Sequence, residues 1–249
     1  MKLNKIDPKF ISKANPRIGL IALGSDFRIE KDFNNVIYGK DIDLYVNRIH
    51  CYNPLTNETL AKMADDITEV TSDILPDQKI DCVAYGCTSG TVAAGYDVIE
   101  KNIKLSKPEA KVTTPITSAI KALKAFNINK ISVFTPYTKS INDSVLNYFK
   151  KENITVNELT YFDIESDLDI GKVDEKYLIE VLSKINLEDS EALFVSCTAL
   201  PVLSIIEKLE ERLNKIVLSS NQTLIWDSLN LIGYKDDIEG FGKLFKINT

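Results

Sequence analysis

The sequence predicts an α/β fold: two similar doubly wound parallel-sheet domains related by pseudo-two-fold duplication, with the active site in the interdomain cleft. Three observations predict it. Short apolar runs that read as buried strands alternate with helical patterns along the whole chain. The pattern then repeats. The stretch IDCVAYGCTSGTVAAGYDVIEKN at 80–102 matches SEALFVSCTALPVLSIIEKLEERL at 190–213 as strand, Cys-Thr, small or turn residues, helix. The two Cys-Thr pairs stand 110 residues apart, and the opening strands at Ile18 and Ile131 stand 113 apart. Finally, Cys87 and Cys197 both fall just past a strand end and just before a helix, where open parallel sheets bind their ligands.

The elements follow in order. Ile18–Leu23 is a buried parallel strand that stops at Gly24. Thr56–Leu75 is a helix, because Leu60, Met63, Ala64, Ile67, Val70 and Ile74 recur at helical spacing and Pro76 follows. Asp81–Tyr85 is a strand, Val92–Ile103 a helix, Lys111–Thr114 a short strand and Thr117–Phe126 a helix. The second round begins with a strand at Lys130–Phe134. A helix at Ser140–Lys151 and a strand at Ile154–Leu159 come next. Lys176–Ile185 is a helix with Asp174 as its N-cap. Strand Ala192–Ser196, helix Pro201–Leu213, strand Lys215–Leu218 and helix Asn221–Leu231 complete it. The duplication divides the chain into a first lobe, 1–117 plus 218–249, carrying Cys87, and a second, 118–217, carrying Cys197.

Composition narrows the function. The 249 residues are 44% hydrophobic, which suffices for one large core or two small ones. No 18-residue apolar run or N-terminal apolar segment is present, so the expected location is the cytoplasm, with no membrane partner. A net charge of −6 without a basic stripe argues against nucleic acid. Four cysteines fit a reducing compartment, and a single histidine, His50, makes a His-based metal site improbable. Gly86 and Gly90 flank Cys87 but form neither a dinucleotide fingerprint nor a Walker loop.

The chemistry therefore falls on the two Cys-Thr pairs. A thiol at a helix start is biased toward thiolate. The N–H groups of Thr88, Ser89, Thr198 and Ala199 would face the same cleft and could hold a carboxylate. A lone strand-end Cys is usually a small buried hydrophobe. Two at equivalent points of a repeat are not readily explained that way. Face to face, such thiols can take a proton from one side of a planar carbon and return one to the other. Cys82 and Cys51 read as structural; His50 and Cys51 are strand neighbours that point to opposite faces. Arg28 is expected to pair with Glu30 or Asp32 at the surface, and Asn221 to cap its helix. Trp226 and Leu229 belong to a core face, while Asp65-Asp66 and Glu207–Arg212 look solvated.

The motifs YGCTSGT (85–91), TPIT (114–117), FTPY (134–137), VSCTALP (195–201) and SSN (219–221) carry a resemblance. The chain resembles the aspartate/glutamate racemase superfamily, in its maleate cis-trans isomerase and arylmalonate decarboxylase branch. Within that branch it is most similar to the EutA-type proteins of ectoine utilisation. The resemblance implies a cofactor-free enzyme with catalytic Cys87 and Cys197. It implies that Thr88 and Ser89 hold a substrate carboxylate and that Tyr137 donates to the same group. The decarboxylases have Gly at the position of Cys87, so two cysteines argue against decarboxylation. Two departures stand out: Asp26, in the pair Ser25-Asp26, and Asp167, in Asp167-Leu-Asp-Ile-Gly, replace asparagines of the maleate isomerases. Asparagine can donate to a carboxylate, whereas ionised aspartate only accepts and repels it.

These readings lead first to a cofactor-independent racemase or epimerase of an amino-acid-type carboxylate, with Cys87 and Cys197 as opposed acid and base. Asp26 and Asp167 would meet the substrate ammonium, and Thr88, Ser89, Tyr137 and Thr198 the rest. The alternative is a maleate-type cis-trans isomerase in which Cys87 adds to the alkene. A decarboxylase or a non-catalytic small-acid binder ranks lower. The expected partner is a small carboxylate or amino acid; homo-oligomerisation stays open.

Overall fold

The structure, a computed structural model, describes residues 3–11 and 13–247. The first sheet contains β1 (Arg17–Leu23), β2 (Asp43–Ile49), β3 (Cys82–Tyr85) and β4 (Lys111–Thr113), in the order β2-β1-β3-β4. The second contains β5 (Lys130–Thr135), β6 (Thr155–Tyr161), β7 (Ala192–Val195) and β8 (Ile216–Ser219), in the order β6-β5-β7-β8. All pairings are parallel. The register repeats too: Ile18 lies opposite Cys82 in the first sheet, and Ile131 opposite Ala192 in the second. The fold is thus two α/β domains of one topology, as the duplicated pattern predicts. Central strands β3 and β7 are buried at every residue, which explains why they read as unbroken apolar runs.

The helices are α1 (Ile29–Ile37), α2 (Asn57–Lys62), α3 (Ile67–Ser72), α4 (Thr88–Ala94), α5 (Tyr96–Ser106), α6 (Pro115–Ala125), α7 (Lys139–Lys151), α8 (Asp167–Ile170), α9 (Glu175–Leu182), α10 (Ile206–Leu213) and α11 (Ser220–Leu231). Two expected helices are divided. The one over 56–75 breaks at a 3-10 turn, Met63–Asp66, where Asn102 Nδ2 donates to the Ala64 carbonyl at 2.8 Å. The stretch 92–103 belongs to two helices that start earlier, at Thr88, and part at Gly95, whose φ of +87° favours glycine. Asp174 caps α9 as expected, accepting from the Tyr177 N–H. The elements α1, β2 and α8 have no counterpart in the expected list.

Helix α11 links the two halves. It leaves the end of β8, in the second sheet, and packs against α6, β3 and β4 of the first. Strand β8 stays in the second sheet through Ser219, two residues past the expected lobe boundary at 217. Ten of the twelve α11 residues are buried, Trp226 and Leu229 among them, so this helix has no solvent face. Its Asp227 is held there by Thr113, Ser118 and Lys121 of the first half. Among the described residues no helix is long and apolar enough to cross a membrane.

Candidate active site

The carboxyl ends of β3 and β7 deliver the two cysteines. Cys87 is the N-cap of α4, and its Sγ accepts the Gly90 N–H at 3.2 Å. Glycine at 90 leaves the sulfur its place, since a Cβ there would lie 2.8 Å from that sulfur and 2.9 Å from the Tyr85 hydroxyl. Cys197 has φ +100°, a conformation rare for any residue with a side chain. Its N–H donates to Ser220 Oγ at 3.0 Å, and the Thr88 hydroxyl donates to the same oxygen at 2.8 Å. Thr198 Oγ1 in turn donates to the Gly86 carbonyl at 3.2 Å. Each cysteine loop is therefore pinned to the other half of the molecule.

Between the loops lies a tight chamber of about 10 Å³, lined by Leu23, Leu55, Leu60, Cys87, Thr88, Ser89, Tyr137, Asp167, Cys197 and Thr198. Every one of these residues is buried, so the chamber is closed to bulk water and must open to admit a ligand. Its roof brings the halves together. Leu55 N–H donates to the Glu165 carbonyl at 2.9 Å, and Asp167 N–H to Asn53 Oδ1 at 3.4 Å.

Burial dominates the electrostatics. Desolvation pushes both thiols well up from the usual cysteine range, opposed by the Gly90 N–H at Cys87 and the Ala199 N–H at Cys197. The charge of Cys87 also raises Cys197, so the pair resists double ionisation. Asp167 is pushed up to about 6, mainly by burial, even though Ser25 Oγ donates to its Oδ2 at 2.5 Å. Tyr137 is fully buried, its hydroxyl facing Cys197 and accepting from Ser196 at 3.3 Å; burial keeps it protonated. Among the described residues no Lys, Arg or His lines the chamber.

Of the residues singled out by sequence, Cys87, Cys197, Thr88, Ser89, Tyr137, Asp167 and Thr198 come together here. Asp26 is not in the lining. It is wholly buried, and its Oδ1 accepts the N–H groups of Arg28 and Ile29 to start α1. Its Oδ2 has no partner. Arg28 does not pair with Glu30 or Asp32; it donates to the Gly171 carbonyl at 2.9 and 3.2 Å and lies over the Phe27 ring. Asn221 is not an N-cap, a role that Ser219 fills. Its amide instead bridges Asp32 Oδ2 at 2.7 Å and the Thr198 carbonyl at 2.8 Å. Glu210, expected in solvent, is buried and accepts the N–H groups of Val217 and Lys243. Sequence reasoning gave Ser220 no role, although it stands inside the SSN motif. The apolar liners Leu23, Leu55 and Leu60 carry no local signal distinguishing them from core.

The sequence profile of the arylmalonate decarboxylase family matches residues 38–245, most of the chain. The chain belongs to this family. Its curated relatives include a maleate isomerase of Geobacillus stearothermophilus, 24% identical over 92% of this chain and 96% of the relative. Another, from Alcaligenes faecalis, is 25% identical over 68% of this chain and 70% of its own. Among solved structures, a Cys-to-Ser mutant of the Nocardia farcinica maleate cis-trans isomerase with a covalently bound succinylcysteine intermediate superposes with a TM-score of 0.86. It is 18% identical, and the match covers 94% of this chain and 99% of that one. An unliganded arylmalonate decarboxylase gives 0.73 at 20% identity, over 93% and 99%. At these identities the structural likeness establishes the shared fold.

Proposed function

We propose that this arylmalonate decarboxylase family member is a cis-trans isomerase of a small unsaturated carboxylate, acting by reversible addition of Cys87 to the alkene. The observation that carries the proposal is the pair of thiols lining one closed chamber. The maleate isomerases among the relatives favour this reaction over racemisation. A succinylcysteine in the Nocardia neighbour is the adduct that thiol addition across a butenedioate double bond would leave.

In this scheme the reacting pair carries one proton: burial holds both thiols protonated in the closed chamber, so Cys87 gives its proton to solvent while the chamber is open, and repulsion keeps the second on Cys197. Cys87 is the thiolate, supported by the Gly90 N–H. Its sulfur bonds to one alkene carbon while the π electrons move to the other, toward the adjoining carboxylate. The Ser89 hydroxyl and the backbone N–H groups of Thr88 and Thr198 would hold that carboxylate and stabilise the added charge, since the Thr88 and Thr198 hydroxyls donate to Ser220 and Gly86. Cys197 delivers its proton to the carbanionic carbon, and Tyr137 steadies the thiolate left behind. Rotation about the new single bond follows. Cys197 then recovers the proton, the C–S bond breaks and the trans acid leaves. No atom is gained or lost, and no redox step is needed.

Proton NMR with cis-butenedioate derivatives tests this. The wild type should convert cis to trans, and Cys87→Ser should lose about 10²-fold or more. Cys197→Ser should also fail to turn over but can trap the adduct, visible as added mass on Cys87. Unimpaired turnover in Cys87→Ser would reject addition by that sulfur.

The same thiols, together with the carboxyl group of Asp167, favour a second reading as an amino-acid racemase. Exchange of an α-proton for deuterium, dependent on both cysteines, would establish that reaction instead. The likeness to ectoine-utilisation proteins rests on the short motifs and adds no substrate.

A further inference from the structure

The charge balance of the chamber points to a more specific ligand. The lining has hydroxyls, thiols and leucines, and its one carboxyl group is Asp167, only 3% exposed. That carboxyl is fixed in place: Ser25 Oγ donates to Oδ2, and Asn53 Oδ1 accepts the Asp167 N–H. Oδ1 has no partner of this kind and can receive a donor from a ligand. A second acid, Asp26, lies behind the wall with Oδ2 unpartnered and, when ionised, adds negative potential. Among the described residues no cation lines the chamber, and the N–H groups of the nearby guanidiniums are directed elsewhere. Arg28 is spent on the Gly171 carbonyl, and Arg48 on the carbonyls of Leu23 and Asp26 and on Glu30. Two carboxylates entering this space would meet acid without countercharge in a site shielded from water, where such repulsion is strongest.

We infer that the chamber is built for a cis-unsaturated acid bearing one carboxylate and, at its other end, a nitrogen group that donates hydrogen bonds, an amide or an ammonium, in preference to a dicarboxylate. The inference rests on the isomerase reading and makes Asp167 the specificity-determining residue. The single carboxylate lies among Thr88, Ser89 and Thr198, and the N–H donors lie against Asp167. An asparagine at 167 would instead offer its own N–H to a second carboxylate. A dicarboxylate would then gain a partner where it now meets an acceptor.

Two measurements test this together. The first compares kcat/KM for maleate and its monoamide, maleamate, in wild type and in Asp167→Asn. Wild type should favour the monoamide by about tenfold or more, and the variant should reverse the order. The second needs no variant and no turnover: protection of Cys87 in the wild type against iodoacetamide by succinate or succinamate, the saturated analogues. Succinamate should protect at concentrations at least about tenfold lower than succinate. Maleate used as well as maleamate, or equal protection by the two analogues, would overturn the inference while leaving the isomerase reading intact. Selective protection by succinamate without isomerisation of either alkene would keep the ligand class and reject the isomerase. Protection by neither analogue would overturn the inference as well.

Discussion

Cys197 holds its sulfur in the chamber with a backbone that residues bearing a Cβ avoid. Its φ of +100° lies where glycine is at ease and where other residues store about 1–3 kcal/mol of strain. The conformation survives because its neighbours fix it: Ser220 takes the Cys197 N–H, and Thr198 is tied to Gly86. Such strain should appear as stability when it is released. Cys197→Gly is expected to be more stable toward urea than Cys197→Ala by about 1 kcal/mol, although glycine ordinarily loses to alanine. An alanine variant at least as stable as the glycine one would show that the turn is relaxed. Cys87 offers the complementary test. In Gly90→Ala the new methyl would stand 2.8 Å from Sγ and 2.9 Å from the Tyr85 hydroxyl. The sulfur must rotate away, so turnover should drop about tenfold or more while the fold persists, as circular dichroism would verify.

At the scale of elements, the start of α11 joins the two cysteine loops. Ser220 Oγ accepts from both the Thr88 hydroxyl and the Cys197 N–H. Ser220→Ala would leave two buried donors unpaired, and should cost about 1–3 kcal/mol in chemical denaturation and slow turnover too. A stability within error of the wild type would mean that water or a rearranged loop replaces the serine. This element also shows what could be read from the sequence. The repeat located β3 and β7, and with them Cys87 and Cys197, because buried parallel strands are continuous apolar runs. Strand β2 escaped because it is an edge strand, half-buried along most of its length and mixed in composition. The break between α2 and α3 could not be read locally, since the Asn102 side chain that takes the Ala64 carbonyl is 38 residues away. Asp26 and Asp167 stood out in the sequence for one shared reason, as acids that depart from asparagines of the resembled isomerases. Only the fold distinguishes them, turning one into the start of α1 and the other into the chamber wall. The bridging roles of Asn221 and Ser220 likewise depend on groups brought from both halves.

The molecule as a whole gathers three acids, Asp26, Asp32 and Asp167, at the end where its halves meet. Burial raises all three above the ordinary carboxyl value of 3.8: Asp32 to about 7, Asp167 to about 6, and Asp26 in the same direction. The charge of Asp26 raises the other two further. Between pH 4 and 7 the folded chain therefore holds protons that the unfolded chain has released, so stability must fall as pH rises through that window. For Asp167, a shift of this size corresponds to about 3 kcal/mol lost by neutral pH. The cysteines act in the same sense at higher pH, because their folded values also lie above the unfolded ones. Urea midpoints should then be higher at pH 5 than at pH 7.5. Asp32→Asn and Asp167→Asn should each flatten the slope, since neither amide titrates. A midpoint that stays flat from pH 5 to 7.5 would mean that these acids ionise freely in the folded state. The same linkage connects stability to ligand choice. A ligand whose N–H donors face Asp167 favours its ionised form and should recover stability most at pH 7.5, where ionised Asp167 is least compensated. A dicarboxylate favours the protonated form, so whatever stabilisation it gives should be largest at pH 5.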